Sequence, residues 1–214
     1  VDQTIADALF DEVLAAWLKE MLARGDELDG PVAVLAKDDP LGVVERVREL
    51  ADLRRKHRSA TVPAPDFSTR PDRTFADAVT AFSRWHAAGP GETWTADLIA
   101  DLERLAAFFE GDHANAGFSA LWRLTRPPRI SMMRQKSIDL LPYDRMRVWR
   151  QALGEADGRR RGQEAAEHFE RVRAAYRTLI GSIAQSLVHE LATHLTGVIE
   201  AYDRRKREAA VLDF

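Results

Sequence analysis

Two histidines bracket a glutamate in His189-Glu190-Leu191-Ala192-Thr193-His194. These are the residue types of a zinc-hydrolase helix, but the spacing is wrong for one. In H-E-x-x-H the histidines stand four apart and share a helix face. Here they stand five apart, which turns the helix by about 500° and aims the two rings about 140° from each other. The segment reads as two histidines on different faces of a long helix, and a metal-dependent hydrolase is disfavoured. His57, His86, His113 and His168 are isolated in the sequence and read as surface or half-buried residues. There is no cysteine, so disulfides and cysteine zinc sites are excluded. Carboxylates cluster at Asp38-Asp39 and among Asp97, Asp101 and Glu103. Both groups fall at expected helix starts, where anions cap exposed N–H groups and suit the dipole. That reading is preferred over a catalytic dyad. No G-x-x-x-x-G-K-[ST] loop and no G-x-G-x-x-G occurs, so the chain is not expected to hydrolyse ATP or bind a dinucleotide by itself.

The strongest chemical signal is segregated charge. Arg123, Arg126, Arg129, Arg134, Lys136, Arg145, Arg147, Arg150, Arg159, Arg160 and Arg161 fall within forty residues that hold only Asp139, Asp144, Glu155 and Asp157 as acids. The local balance is +7 in a chain of net charge −3. Arginine forks match phosphate oxygens, and Trp122, Tyr143 and Trp149 are interleaved as in segments that also meet bases or sugars. These eleven residues are the candidate DNA contacts. The competing explanation is an arginine-rich surface paired with a neighbouring acidic element.

The elements that must carry these residues read as helices. The chain has 214 residues, 45% hydrophobic and 30% charged, the latter above a globular average of about 25%. The whole of 1–214 is read as a single helical domain. Ile5, Leu9, Val13, Trp17 and Met21 step by four and predict a first helix that ends by Gly25 and Gly30-Pro31. Asp39-Pro40 predicts a helix start, with Leu41, Val44, Val47, Leu50 and Leu53 as its stripe and the basic run 54–58 at its C-terminal end, where cations suit the dipole. Prolines 63, 65 and 71 predict a loop over 59–72. Phe75, Val79, Phe82 and Trp85 predict the next helix, stopped by Gly89-Pro90-Gly91, and Leu98, Leu102, Leu105 and Phe109 another, stopped by Gly111. The segment 112–162, with Pro127-Pro128 and Pro142, reads as irregular, with short helices only. From Phe169 to Tyr202 one stripe keeps phase through Val172, Tyr176, Leu179, Ile183, Leu187, Leu191, Leu195 and Val198, predicting a long C-terminal helix from about 163 to about 207. The fold class expected is all-α. No apolar run approaches the roughly 20 residues needed to cross a bilayer, and a cytoplasmic setting is expected.

The last thirteen residues, Tyr202-Asp203-Arg204-Arg205-Lys206-Arg207 through Val211-Leu212-Asp213-Phe214, resemble the end of the inserted helical subdomain (1B) of UvrD/Rep-like superfamily 1 DNA helicases. There a long helix carries a tyrosine, then a lysine, then an apolar step into "LDF". Val1-Asp2-Gln3 with Ala6 and Ala8-Leu9 resembles the segment that follows the T-x-H-S-F motif in AddA/RecB-like members. The stretch Met132 to Tyr143 resembles their basic, proline-ended linker. Both chain ends read as cut, which fits an excised insert. The resemblance implies a DNA-handling accessory subdomain of an ATP-dependent helicase or helicase–nuclease acting in double-strand-break repair. It implies ATP and Mg in the parent protein and none in this piece. The implied partners are DNA, the other subdomains of the same chain and a second helicase or nuclease subunit, with no membrane. Every catalytic helicase motif is missing from this sequence, so no catalytic residue and no metal ligand is assigned. The alternative is a helical docking domain that meets a protein partner and no nucleic acid.

Overall fold

The computed structural model describes residues 3–23 and 30–209. They form eight α-helices and no strand: α1 Gln3–Ala23, α2 Pro31–Asp38, α3 Gly42–Lys56, α4 Pro71–Ala87, α5 Thr93–Phe108, α6 Phe118–Leu124, α7 Met146–Leu153 and α8 Glu155–Glu208. The all-α expectation holds among the described residues, and so does the long last helix. α8 starts earlier than the stripe predicts. Gly154 takes a φ of +83° and ends α7, a conformation glycine adopts without penalty. Glu155 and Asp157 then occupy the first turn of α8, where anions are favoured. Residues 155–162 therefore belong to the long helix and not to the irregular segment.

The chain divides into two compact units. Unit 1 comprises the described residues of Val1–Ala64, Gly117–Trp122 and Gln185–Phe214; unit 2 comprises Pro65–Ala116 and Arg123–Ala184.

In unit 1, α1 has two overlapping apolar series, 5-9-13-17-21 and 6-10-14-18. The second, with Val13, is the buried one: Ala6, Phe10, Leu14 and Leu18 are covered, while Ile5 is 50% exposed. Phe10 decides the phase by packing edge-on against Tyr202 of α8, ring centroids 5.3 Å apart. α3 is likewise rotated from its expected stripe. Val43, Val47 and Ala51 are buried, whereas Leu41, Val44 and Leu53 are exposed. Asp39 accepts from the Gly42 N–H at 2.9 Å, so its capping role is as expected. Gly30-Pro31 opens a helix rather than ending one. Pro31 is buried at the start of α2, a position where its missing N–H costs nothing.

In unit 2, α4 and α5 bury the residues their spacing predicts: Phe75, Val79 and Phe82, and Leu98, Leu102, Leu105 and Phe109. Phe169, Val172, Tyr176 and Leu179 of α8 complete that core. The loop between α6 and α7 is held by a lone antiparallel bridge between Met133 and Leu140. Residues 210–214 and 1–2, which carry much of the helicase resemblance, lie outside the described residues.

Candidate nucleic-acid interface

The eleven basic residues do not share one environment. Arg161 is 9% exposed. Its guanidinium lies 3.9 Å from the Trp85 ring centroid, pairs with Glu164 at 3.2 Å, and donates to the carbonyls of Trp85 and Pro90 at 3.4 Å each. It belongs to the interior of unit 2. Trp149 is also fully buried, packing edge-on against Trp85 at 5.8 Å.

Trp149, read from sequence as a stacking surface, instead starts a chain of hydrogen bonds. Its Nε1 donates to the Tyr143 hydroxyl at 2.8 Å. That hydroxyl meets Thr95 Oγ1 at 2.9 Å, and Thr95 Oγ1 donates to Glu92 at 2.9 Å. Glu92 also accepts from the backbone N–H groups of Trp94 and Thr95 at 2.6 and 2.9 Å, which caps α5. The chain is satisfied at every link, so Tyr143 and Trp149 tie α7 to the start of α5, and Trp149, fully buried, offers no free face to a base. Burial raises the Tyr143 pKa above its ordinary value. Trp122 stacks on Phe118 and its indole N–H is taken by Asp38.

Three glycines set α7 in place. Gly154, Gly158 and Gly162 recur every four residues. A Cβ on Gly158 would lie 2.4 Å from the Arg150 Cα, and one on Gly162 would lie 2.6 Å from the Met146 sulfur. At Gly158 only bare backbone lets α7 approach α8 so closely, whereas nothing lies within 4 Å of a Cβ on Gly154.

The other ten cations are exposed. Some are already engaged. Arg129 donates to the carbonyls of Arg134 and Ser137 at 2.9 and 2.6 Å, and Arg134 reaches Asp139 at 3.5 Å. Arg145 covers the Trp94 ring at 4.8 Å. Arg150 and Arg159 share Glu155 at 2.9 and 2.7 Å, and Arg160 pairs with Asp157 at 3.0 Å. The Arg159 contact holds the Glu155 carboxyl below its usual range. Asp139 is lowered too, chiefly by Arg177, which approaches at 3.3 Å. Arg126 also has an interaction partner. Arg123, Lys136 and Arg147 are exposed and have no carboxylate partner among the described residues.

The histidines follow the simpler expectation. His189 Nδ1 meets the Val62 carbonyl at 3.1 Å, while His194 is exposed. His113 meets the Phe109 carbonyl at 2.7 Å. His168 clusters with the rings of Trp85 and Phe82, where burial lowers its pKa. No group of three metal-ligating side chains converges among the described residues, and none of their helices is long and apolar enough to cross a membrane. Comparison with protein-family models, curated proteins and solved structures finds no match.

Proposed function

We propose that this chain is a DNA-handling helical subdomain of an ATP-driven superfamily 1 helicase, of the type that processes double-strand breaks. Unit 2 supplies the contact with the phosphate backbone. The observation that carries the reading is the set of exposed cations with no carboxylate partner among the described residues, Arg123, Lys136 and Arg147. Around them stand Arg126, Arg129, Arg134, Arg145, Arg150, Arg159 and Arg160 as exposed secondary contacts. Surface ion pairs are worth about 0–1 kcal/mol, so a phosphate can compete for the paired arginines. Arg161 is withdrawn from the interface because its guanidinium is enclosed by protein. With the tryptophans buried or hydrogen-bonded, contact through phosphates and little reading of bases is what remains.

The expected behaviour is weak, sequence-independent binding that falls as salt rises. Fluorescence anisotropy with two duplexes of unrelated sequence tests it, and equal affinities are expected. A strong preference for one sequence, or no binding at low salt, would overturn the reading. The parent activity is tested in the open reading frame around these residues, where a P-loop before residue 1 and an acidic helicase motif after residue 214 are expected.

The second reading, a protein-docking domain, is favoured by a different observation. Unit 1 exposes a connected apolar surface between α3 and α8, lined by Leu53, Val188 and Leu191.

A further inference from the structure

That surface is a groove of about 320 Å³. Leu50 and Leu53 of α3 form one wall, Val188, Leu191 and Leu195 of α8 the other, and the segment from Ala60 to Val62 closes one end. Leu53 is 55% exposed and Val188 49%. The volume suits about two or three aliphatic side chains.

The charge at its edge is of one sign. Arg54 and His57 are the only ionisable residues in the lining. Arg54 donates to the Ala60 carbonyl and has no carboxylate partner among the described residues. Its neighbours along the same helix differ: Arg55 pairs with Asp7 at 2.8 Å and Arg58 with Asp203 at 2.7 Å. The one arginine of this run left without an acid is the one that faces the groove.

Much of the backbone around the groove is already engaged. The N–H of His57 is bonded to Leu53, that of Ala60 to His57, and the Val62 carbonyl meets His189. An extended peptide adding by strand pairing would find few free groups along this segment, whereas a helix brings its own backbone satisfied. An apolar lining of this kind offers nothing to a phosphate backbone.

We propose that the α3–α8 groove of unit 1 is a docking site for an amphipathic helix of a protein partner. The helix inserts apolar residues at i, i+3 or i+4, and i+7, and places an acidic side chain against Arg54 and His57. The inference stands whether or not unit 2 binds DNA, because the two surfaces share no residue.

The test is a display selection on the full chain with a library of helix-forming peptides randomised on one face. Counter-selection uses Val188→Glu, whose site is half-exposed, so the variant is expected to fold; thermal unfolding checks that it does. Peptides with helical apolar spacing and at least one Asp or Glu should be enriched on the wild type and depleted on Val188→Glu. For a recovered peptide, Arg54→Glu should weaken binding about tenfold, and replacing its acid with lysine should recover most of that loss on the variant. Recovery of extended, basic or aperiodic sequences would overturn the proposal. So would enrichment indifferent to Val188→Glu, or no enrichment at all.

Discussion

Two stretches of this chain concentrate positive charge, residues 54–58 at the end of α3 and residues 123–161 of the basic segment, and they use it differently. At the end of α3 the charge is mostly internal. Arg55 lies 4.5 Å from the Phe10 ring centroid while pairing with Asp7 and Asp52, and Arg58 reaches Asp203. In the basic segment the pairing is graded along the chain. Arg161 is buried, Arg150, Arg159 and Arg160 hold surface acids, and Arg123, Lys136 and Arg147 hold none among the described residues. A count of cations along the sequence does not separate an interior strut from a free contact. Pairing geometry does.

The largest effect expected from this contrast is on stability. Arg161→Ala removes a guanidinium stacked on Trp85, leaves Glu164 with only the Trp85 indole N–H, and takes a donor from the Trp85 and Pro90 carbonyls. It should cost about 3 kcal/mol in urea unfolding. Alanine at Arg159 and Arg160 together should cost under about 1 kcal/mol, since both pairs are exposed. Equal losses would erase the distinction between interior and surface arginines.

Gly158→Ala comes next. Its Cβ would press into the Arg150 backbone, so α7 must shift. A loss of about 2 kcal/mol is expected, together with weaker DNA binding because Arg147 rides on α7. Loss of stability with DNA affinity unchanged would detach Arg147 from the interface.

Asp72 offers a pH test. It is buried, and Arg70 binds it through two bonds of 3.1 and 2.8 Å, which holds its carboxyl below the usual range. A group with a depressed folded pKa binds fewer protons folded than unfolded. Its stabilisation is therefore complete above the unfolded carboxylate value, near 3.9, and is lost as pH falls through the folded value. Asp72→Asn should lower stability at neutral pH and flatten the acid limb of the stability curve. An unchanged acid limb would show that the pair is idle.

The smallest effect expected is a gain. Nothing lies within 4 Å of a Cβ added at Gly181 of α8, so Gly181→Ala should stabilise by up to about 1 kcal/mol. A loss there would show that the helix uses the glycine.

These cases also show how far the sequence could be read. α4, α5 and the stripe of α8 were legible because each offers one apolar series and so one possible buried face. α1 carries two competing series, and the choice depends on Phe10 meeting Tyr202, nearly two hundred residues away. The start of α8 was hidden because Gly154, Gly158 and Gly162 look like helix breakers. The spacing of four between Gly158 and Gly162 was the available signal that one helix packs closely on another. Arg161 could not be told from Arg160 by type or neighbourhood. Its burial follows from Trp85, which the fold brings from α4.

The DNA contact proposed for unit 2 rests on cations that hold no carboxylate among the described residues. Duplex affinity measured across a salt series tests it most directly, using the wild type, the triple Arg123→Ala/Lys136→Ala/Arg147→Ala, and the matched triple Arg134→Ala/Arg159→Ala/Arg160→Ala. For about three phosphates engaged, log K should fall against log salt with a slope near −3. The first triple should flatten that slope by up to about 3 and weaken all sequences alike. The second, whose arginines already hold acids, should flatten it by about 1 or less. Equal slopes in wild type and the first triple, or a larger change in the second, would contradict the account.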